Sequence, residues 1–285
     1  MKVYIDRHPE QPTIFKELDF DDVYPSIIIP DELTLGVRNS TKSPKRINRK
    51  YSSQWLPGDS EERYDKDIAN GIKHTYKKDE FYYQVNANGF RCDDFDTMDF
   101  SKKSIIYLGC SHSFGMGVPE EHIWTVKVHT MLQREHDTTY NYINLGVPGG
   151  GLDWYLHFLP YFGKFNPAFI ISATPEITRM NMIYDDGRIS QQIPTRDNTM
   201  SEKDHAYSKL VNMGDSFFEY RKKLVFANIN STATLLDATF IEHGAIGLFN
   251  SPYKYHDIAR DNSHPNKFLH KEFANCMMNK IKGNQ

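Results

Sequence analysis

At 285 residues the chain is long enough to bury a full core, and it fits one sizeable domain with an extension. Its 34 Lys and Arg against 37 Asp and Glu leave a net charge of -3, which offers no basic field to hold nucleic acid by counterion release. The three cysteines, Cys92, Cys110 and Cys276, are too few and too widely spaced for a disulfide framework or a CxxC metal site, and suit a reducing compartment.

The chain opens MKVYIDRHPEQP, with charges and a proline where a secretory apolar core would lie, and no run of about 18 apolar residues occurs. A soluble, cytoplasmic protein with no membrane partner, unexported by a signal of its own, is therefore expected. Residues 1 to 80 carry scattered prolines, a basic stretch KSPKRINRK and a polar stretch GDSEERYDKD, and read as an irregular N-terminal extension or arm. The run EFYYQVNANGF joins aromatic and β-branched residues to Asn-Gly, as in a strand entering a tight turn. Residues 81–285 have the texture of one domain. SIIYLG (104–109), YNYINLG (140–146), AFIIS (168–172) and GAIGLFN (244–250) read as strands. Between the first two, Trp124, Val128, Met131 and Leu132 recur at i, i+4, i+7 and i+8 within a helix over 119–133. Residues 181–204 form a polar insert, a surface loop in preference to a lid, and a long helical region follows over about 205–240. Pro265 suits the first position of a closing helix whose stripe is Leu269, Phe273, Cys276 and Met277. This alternation predicts an α/β fold with a mainly parallel sheet covered on both faces, and ligands outside the carboxyl ends of its strands.

Serine is a poor nucleophile at neutral pH unless a base takes its proton, a third group orients that base, and nearby donors stabilise the oxyanion. GCSHSFGMG (109–117) puts Ser111 just past a strand among glycines, although the string is not the GxSxG elbow. ARDNSHPN supplies Asp261 and His264, three apart, so that the carboxylate can hold Nδ1–H while Nε2 faces the serine. NLGVPGGG (144–151) can bring a backbone N–H, that of Gly149 in particular, to the oxyanion.

Each of these residues also has a plain structural reading. Ser111 can be a small polar residue filling a turn, and Asp261 a helix cap. Cys110 reads as a small inert hydrophobe, not a thiol nucleophile. His112 is a weak candidate for substrate contact, with its side chain expected to point away from that of Ser111. Arg179 either meets an anionic substrate group or makes a structural salt bridge. His122, His129 and His136 lack the H-E-x-x-H spacing and read as surface or packing residues, so no metal is expected. GCSHSFGMG lacks the P-loop lysine and GVPGGG the G-x-G-x-x-G spacing, so no cofactor is expected either. Trp154, Tyr155, Phe158, Tyr161 and Phe162 are assigned to core and helix surface, with a sugar or acyl pocket as the alternative.

Taken in order, G-C-S-H-S-F-G, N-L-G-V-P-G-G and D-N-S-H-P resemble the first, second and last blocks of the SGNH (GDSL-type) hydrolases. VNANGFR is similar to a segment that precedes the first block in some members, so the resemblance spans about residues 85 to 282. It implies a flavodoxin-like three-layer α/β/α sandwich and hydrolysis of an ester through an acyl-serine. Ser111 would be the nucleophile and an oxyanion donor through its N–H, Gly149 a second donor, His264 the base and Asp261 its orienter. Cys110 stands where the family usually has aspartate. The third block, G-x-N-D, is absent: the chain reads S-A-T-P-E-I-T-R, and only Thr174 lies near the place of the family's asparagine donor. Losing one such donor costs about 2.7 to 4 kcal/mol of transition-state stabilisation. The implied substrate is a small-molecule or carbohydrate ester, such as a carbohydrate-linked O-acetyl group. Two other functions stay open: a binding or assembly module with a decayed site, docking a protein partner through residues 1–80, and an O-acyltransferase using the same residues.

Overall fold

The described part of the chain begins with β1 (Tyr51–Ser53), helix α1 (Glu61–Ala69) and β2 (Tyr83–Val85), the two strands pairing antiparallel, in a computed structural model that describes residues 51–56, 59–86, 88–183, 189–192, 214–244, 259–261 and 264–283. The central sheet follows, made of β3 (Ser104–Gly109), β4 (Asn141–Gly146), β5 (Pro167–Thr174) and, after the antiparallel hairpin of β6 (Met180–Ile183) and β7 (Ile189–Gln192), β8 (Thr239–Gly244). Its spatial order is β4-β3-β5-β8, with every neighbouring pair parallel. The helices that accompany it are α2 (Ser111–Phe114), α3 (Trp124–His136), α4 (Asp153–Phe158), α5 (Asp215–Leu235) and α6 (Lys267–Gly283).

Strand β3 explains the layering. Ile105 and Tyr107 enter one core with Val128 and Leu132 of α3 and Phe273 and Met277 of α6. Ile106 and Leu108 enter the other with Trp154 and Phe158 of α4 and Val225 and Ile229 of α5. A strand covered on both faces has no polar alternation, which is why SIIYLG is almost wholly apolar. The fold is thus a three-layer α/β/α sandwich in flavodoxin-like strand order, whose direction of winding switches between β3 and β5. Ligands gather at the carboxyl ends of strands at such a switch, and Ser111 follows β3 there. Trp154, Tyr155, Phe158 and Phe162 are buried core residues.

Several sequence expectations are corrected. A strand, β8, occupies Thr239–Gly244, at the end of the segment assigned to a helix over 205–240, where the described helix is α5. Residues 245–250, which make up most of the strand expected over 244–250, lie outside the described residues, like 1–50 and most of the polar insert, whose residues 181–183 and 189–192 belong to the β6–β7 hairpin. Pro265 precedes the closing helix without starting it; the Asn266 side chain caps α6, its Oδ1 accepting the Phe268 and Leu269 N–H groups at 2.8 and 3.1 Å. Within residues 51–80, Leu56 and Tyr76 pack with Phe81, Tyr83 and Tyr107 in one core. No described helix is long and apolar enough to cross a membrane.

His129 on α3 carries a pH dependence. Burial lowers its pKa from 6.5 to about 4, so the folded protein holds a neutral imidazole that the unfolded chain protonates first. The unfolded state then binds the extra proton, and stability falls as pH drops from about 6.5 towards 4. Denaturant unfolding at stepped pH is expected to show His129→Leu losing a few kcal/mol less than the wild type across that window. Equal slopes in the two proteins would remove His129 as the cause.

Candidate active site

Ser111 begins α2 immediately after β3, and Cys110 occupies the capping position in extended conformation. Its turn is tied to the neighbouring strand by Asn144, whose Nδ2 donates to the Ser113 carbonyl at 2.8 Å while its Oδ1 accepts the Gly146 N–H at 3.0 Å. Beyond α2 the chain turns through Gly115, Met116 and Gly117. Arg91, fully buried, donates through Nη1 to the Gly115 carbonyl at 2.6 Å and through Nη2 to that of Val118 at 3.0 Å, satisfying acceptors in the turn that follows this short helix. Burial lowers the Arg91 pKa, and the carbonyls around it are what make a guanidinium tolerable there.

The loop before α6 meets this turn. Arg260 N–H donates to the Gly117 carbonyl at 2.9 Å, and Ala259 N–H to the His264 carbonyl at 3.2 Å. Gly117 has φ +75°, and a Cβ built there would lie 2.8 Å from Asp261 Oδ1, so only glycine lets the carboxylate come this close without strain. Asp261 Oδ1 accepts the His264 N–H at 3.1 Å, and its Oδ2 bonds His264 Nδ1. An ionised carboxylate can only accept, so this bond places the imidazole proton on Nδ1 and leaves Nε2 as the acceptor. His264 Nε2 lies 2.7 Å from Ser111 Oγ. The Asp261 side chain is fully buried and that of His264 is 19 % exposed, so the array opens outward at the imidazole.

Of three other sequence candidates, one, His112, adjoins this array, and Gly149 and Arg179 lie in the loops after β4 and β5. His112 does not point away from it: its ring centre is 5.4 Å from that of His264, and its Nδ1 is 3.5 Å from Cys110 Sγ. Gly149 sits in the turn between β4 and α4 with φ +75°. Arg179 lies against the glycine block, where a Cβ on Gly151 would meet the Arg179 carbonyl at 2.6 Å, and its Nε is 3.6 Å from Glu176 Oε2. Arg221 of α5 pins this loop by gripping both oxygens of Asp153 and donating to the Ile177 and Arg179 carbonyls, the last two at 2.9 Å.

In β5, Thr174 Oγ1 donates to Glu242 Oε1 at 2.7 Å, which spends the hydroxyl's one proton within the β5–β8 pair. Of the histidines read as packing residues, His129 is buried, His122 bonds Tyr76 and His136 bonds Tyr140. The sequence reading gave no role to His270, which is fully buried on α6 and accepts the Trp124 N–H at 3.1 Å. Burial first, then the nearby His112 and His264, hold its pKa well below the usual value, so it adds no positive charge beside His264. Asp59, Tyr83 and Arg260, also unassigned from sequence, form a buried polar group behind the Asp261 loop.

The class that these features define is a parallel α/β sandwich presenting a Ser, His and Asp array at the topological switch of its sheet. No protein-family model matches the chain, and a search of curated proteins found no match. Among solved structures, it is similar to the acetyl xylan esterase AlAXEase at 13% identity, covering 62% of this chain and 98% of that one, with a TM-score of 0.31. It is likewise similar to AlinE4, an SGNH-hydrolase family esterase, at 14% identity, covering 66% and 98% of the two chains, with a TM-score of 0.30.

Proposed function

We propose that the protein is a serine esterase of the SGNH type, acting on a small acyl ester through an acyl-serine intermediate. The observation that carries this is the Ser111 Oγ to His264 Nε2 contact of 2.7 Å, with Asp261 fixing the other imidazole nitrogen. Nucleophile from one site of the chain, and base and orienter from another about 150 residues away, converge with the proton inventory that serine catalysis needs.

In the first half-reaction His264 Nε2 takes the Ser111 proton as Oγ bonds the ester carbonyl carbon. Negative charge on the former carbonyl oxygen is met by backbone N–H groups, those of Ser111 and Gly149 in this proposal. The tetrahedral species collapses, the bond to the alkoxy oxygen breaks, and His264 returns its proton to the leaving alcohol. Water then repeats the sequence on the acyl-serine, giving its proton to His264 and releasing the carboxylic acid and Ser111. Asp261 holds the imidazole in one tautomer and stabilises the imidazolium without itself taking the proton. Substrate contact is assigned in this reading to His112, which flanks His264, and to Arg179, beside the glycine block.

With Thr174 committed to Glu242, the oxyanion is served by two amides and no asparagine side chain, so activated esters are expected to turn over faster than unactivated ones. An O-acetylated carbohydrate is the substrate class we propose to test after an activated acetate. Acetate release from p-nitrophenyl acetate is expected for the wild type and at the uncatalysed background for Ser111→Ala. Equal release by both proteins would overturn the proposal.

A further inference from the structure

We propose that Tyr83, Asp59 and Arg260 are positioning residues that set the register between the Ser111 turn and the Asp261–His264 loop, a role that rests on the esterase reading above. Ser111 and His264 are 153 residues apart, yet their 2.7 Å contact needs the two backbones to meet within a few tenths of an ångström.

Gly117 is where they meet. Its carbonyl accepts the Arg260 N–H at 2.9 Å, and its N–H donates to Tyr83 Oη at 2.7 Å. Tyr83 Oη donates to Asp59 Oδ2 at 2.5 Å, and that same oxygen accepts Arg260 Nε at 3.0 Å and Nη2 at 2.7 Å. The bonds thus close a ring, from Gly117 through Tyr83, Asp59 and Arg260 back to Gly117. Only a protonated hydroxyl can accept from Gly117 while donating to Asp59. Burial first, then the Asp59 charge, raises the Tyr83 pKa well above its usual value and keeps that proton in place.

The rest of the guanidinium is equally constrained. Nη1 donates to the Lys78 and Phe81 carbonyls at 3.1 and 3.3 Å, Nη2 bonds the Gln54 carbonyl, and the plane stacks on Phe81 and Trp55 with 3.9 and 4.2 Å to the ring centres. Arg260, Asp59 and Tyr83 are all 0% exposed. A buried ion pair of this kind adds little net stability over well-packed apolar residues, because both charges lose their water. What directed, charge-assisted bonds add is geometry, and this pair sits one residue from Asp261.

The test uses the rate constant for inactivation of Ser111 by a saturating fluorophosphonate and the probe concentration giving half that rate, both on protein shown folded by its melting curve. Tyr83→Phe keeps the ring and removes the hydroxyl from two links of the circuit. It is expected to slow inactivation by about tenfold or more, with the half-saturating concentration unchanged, because misplacement of reacting groups by about 1 Å costs up to a hundredfold. Trp55→Leu loosens the packing on the same guanidinium without touching the circuit, and is expected to lower the melting temperature but keep the wild-type rate constant. Should Tyr83→Phe not fold, Arg260→Lys, which keeps the charge and loses the fork, is expected to show the same slowing. A folded Tyr83→Phe or Arg260→Lys reacting at the wild-type rate, or Trp55→Leu slowing as much as they do, overturns the positioning role alone. Failure of the wild type itself to be labelled overturns the esterase reading and this proposal with it.

Discussion

Replacing His264 with alanine is expected to lower turnover of p-nitrophenyl acetate by about ten-thousandfold while leaving the fold intact. The Ser111 hydroxyl then has no acceptor at Nε2, and an un-ionised serine attacks an ester only slowly. Removing one member of a serine triad costs about as much as removing all of them, so adding Ser111→Ala to His264→Ala is expected to change little further. The imidazole is 19 % exposed and lies at the mouth of the array, so melting temperature should move by only a few degrees. Steady-state kinetics on the folded variant checks this. A fall of less than tenfold would mean that some other group deprotonates Ser111, and the roles assigned to His264 and Asp261 would be withdrawn.

The largest effect on stability is expected at Asp59. Asp59→Ala leaves the Arg260 guanidinium 0% exposed without its counter-ion and also takes the acceptor from Tyr83 Oη. Breaking one side of a buried ion pair typically costs about 3 to 5 kcal/mol, because the surviving charge keeps its desolvation penalty. For a domain of this size that corresponds to a fall in melting temperature of roughly 6 to 20 °C. Urea unfolding of the wild type and Asp59→Ala measures it. A loss under about 1 kcal/mol would mean that the carbonyls of Gln54, Lys78 and Phe81 and the aromatic rings suffice to hold the cation. The same consideration governs truncation: removing residues 1–80 takes away Asp59, Leu56 and Tyr76, so a shortened chain cannot report on docking by an independent arm.

How far the sequence could be read depends on whether burial follows polarity. SIIYLG and AFIIS are covered on both faces and announce themselves as apolar runs, and the helix stripe of Trp124, Val128 and Leu132 is buried where its spacing predicts. The strand TFIEHG did not, because β8 borders the described sheet and carries Glu242 and His243 half-buried, which breaks the apolar signal. The Ser111, Asp261 and His264 positions were legible because each stands at a strand or helix end among glycines or a proline, where chemistry is usually carried. The residues that brace them were not. Arg91, Arg260, Asp59 and Tyr83 look solvated one at a time, and only their pairing makes them core. Arg260 adjoins the D-x-x-H string and Arg91 ends VNANGFR, so the two signals that could have revealed the brace were beside motifs already noticed. His112 was misjudged for a different reason: in so short a helix, the ring of the residue after the serine reaches back beside His264.

The central claim is that His264 activates Ser111 as a nucleophile. Incubating the intact protein with a fluorophosphonate and mapping the adduct by peptide mass spectrometry, in the wild type and in His264→Ala, tests it most directly. The expected result is one adduct, on Ser111, present in the wild type and lost in the variant. An unlabelled wild type under conditions that modify a reference serine esterase, or Ser111 labelled equally in both proteins, would contradict it.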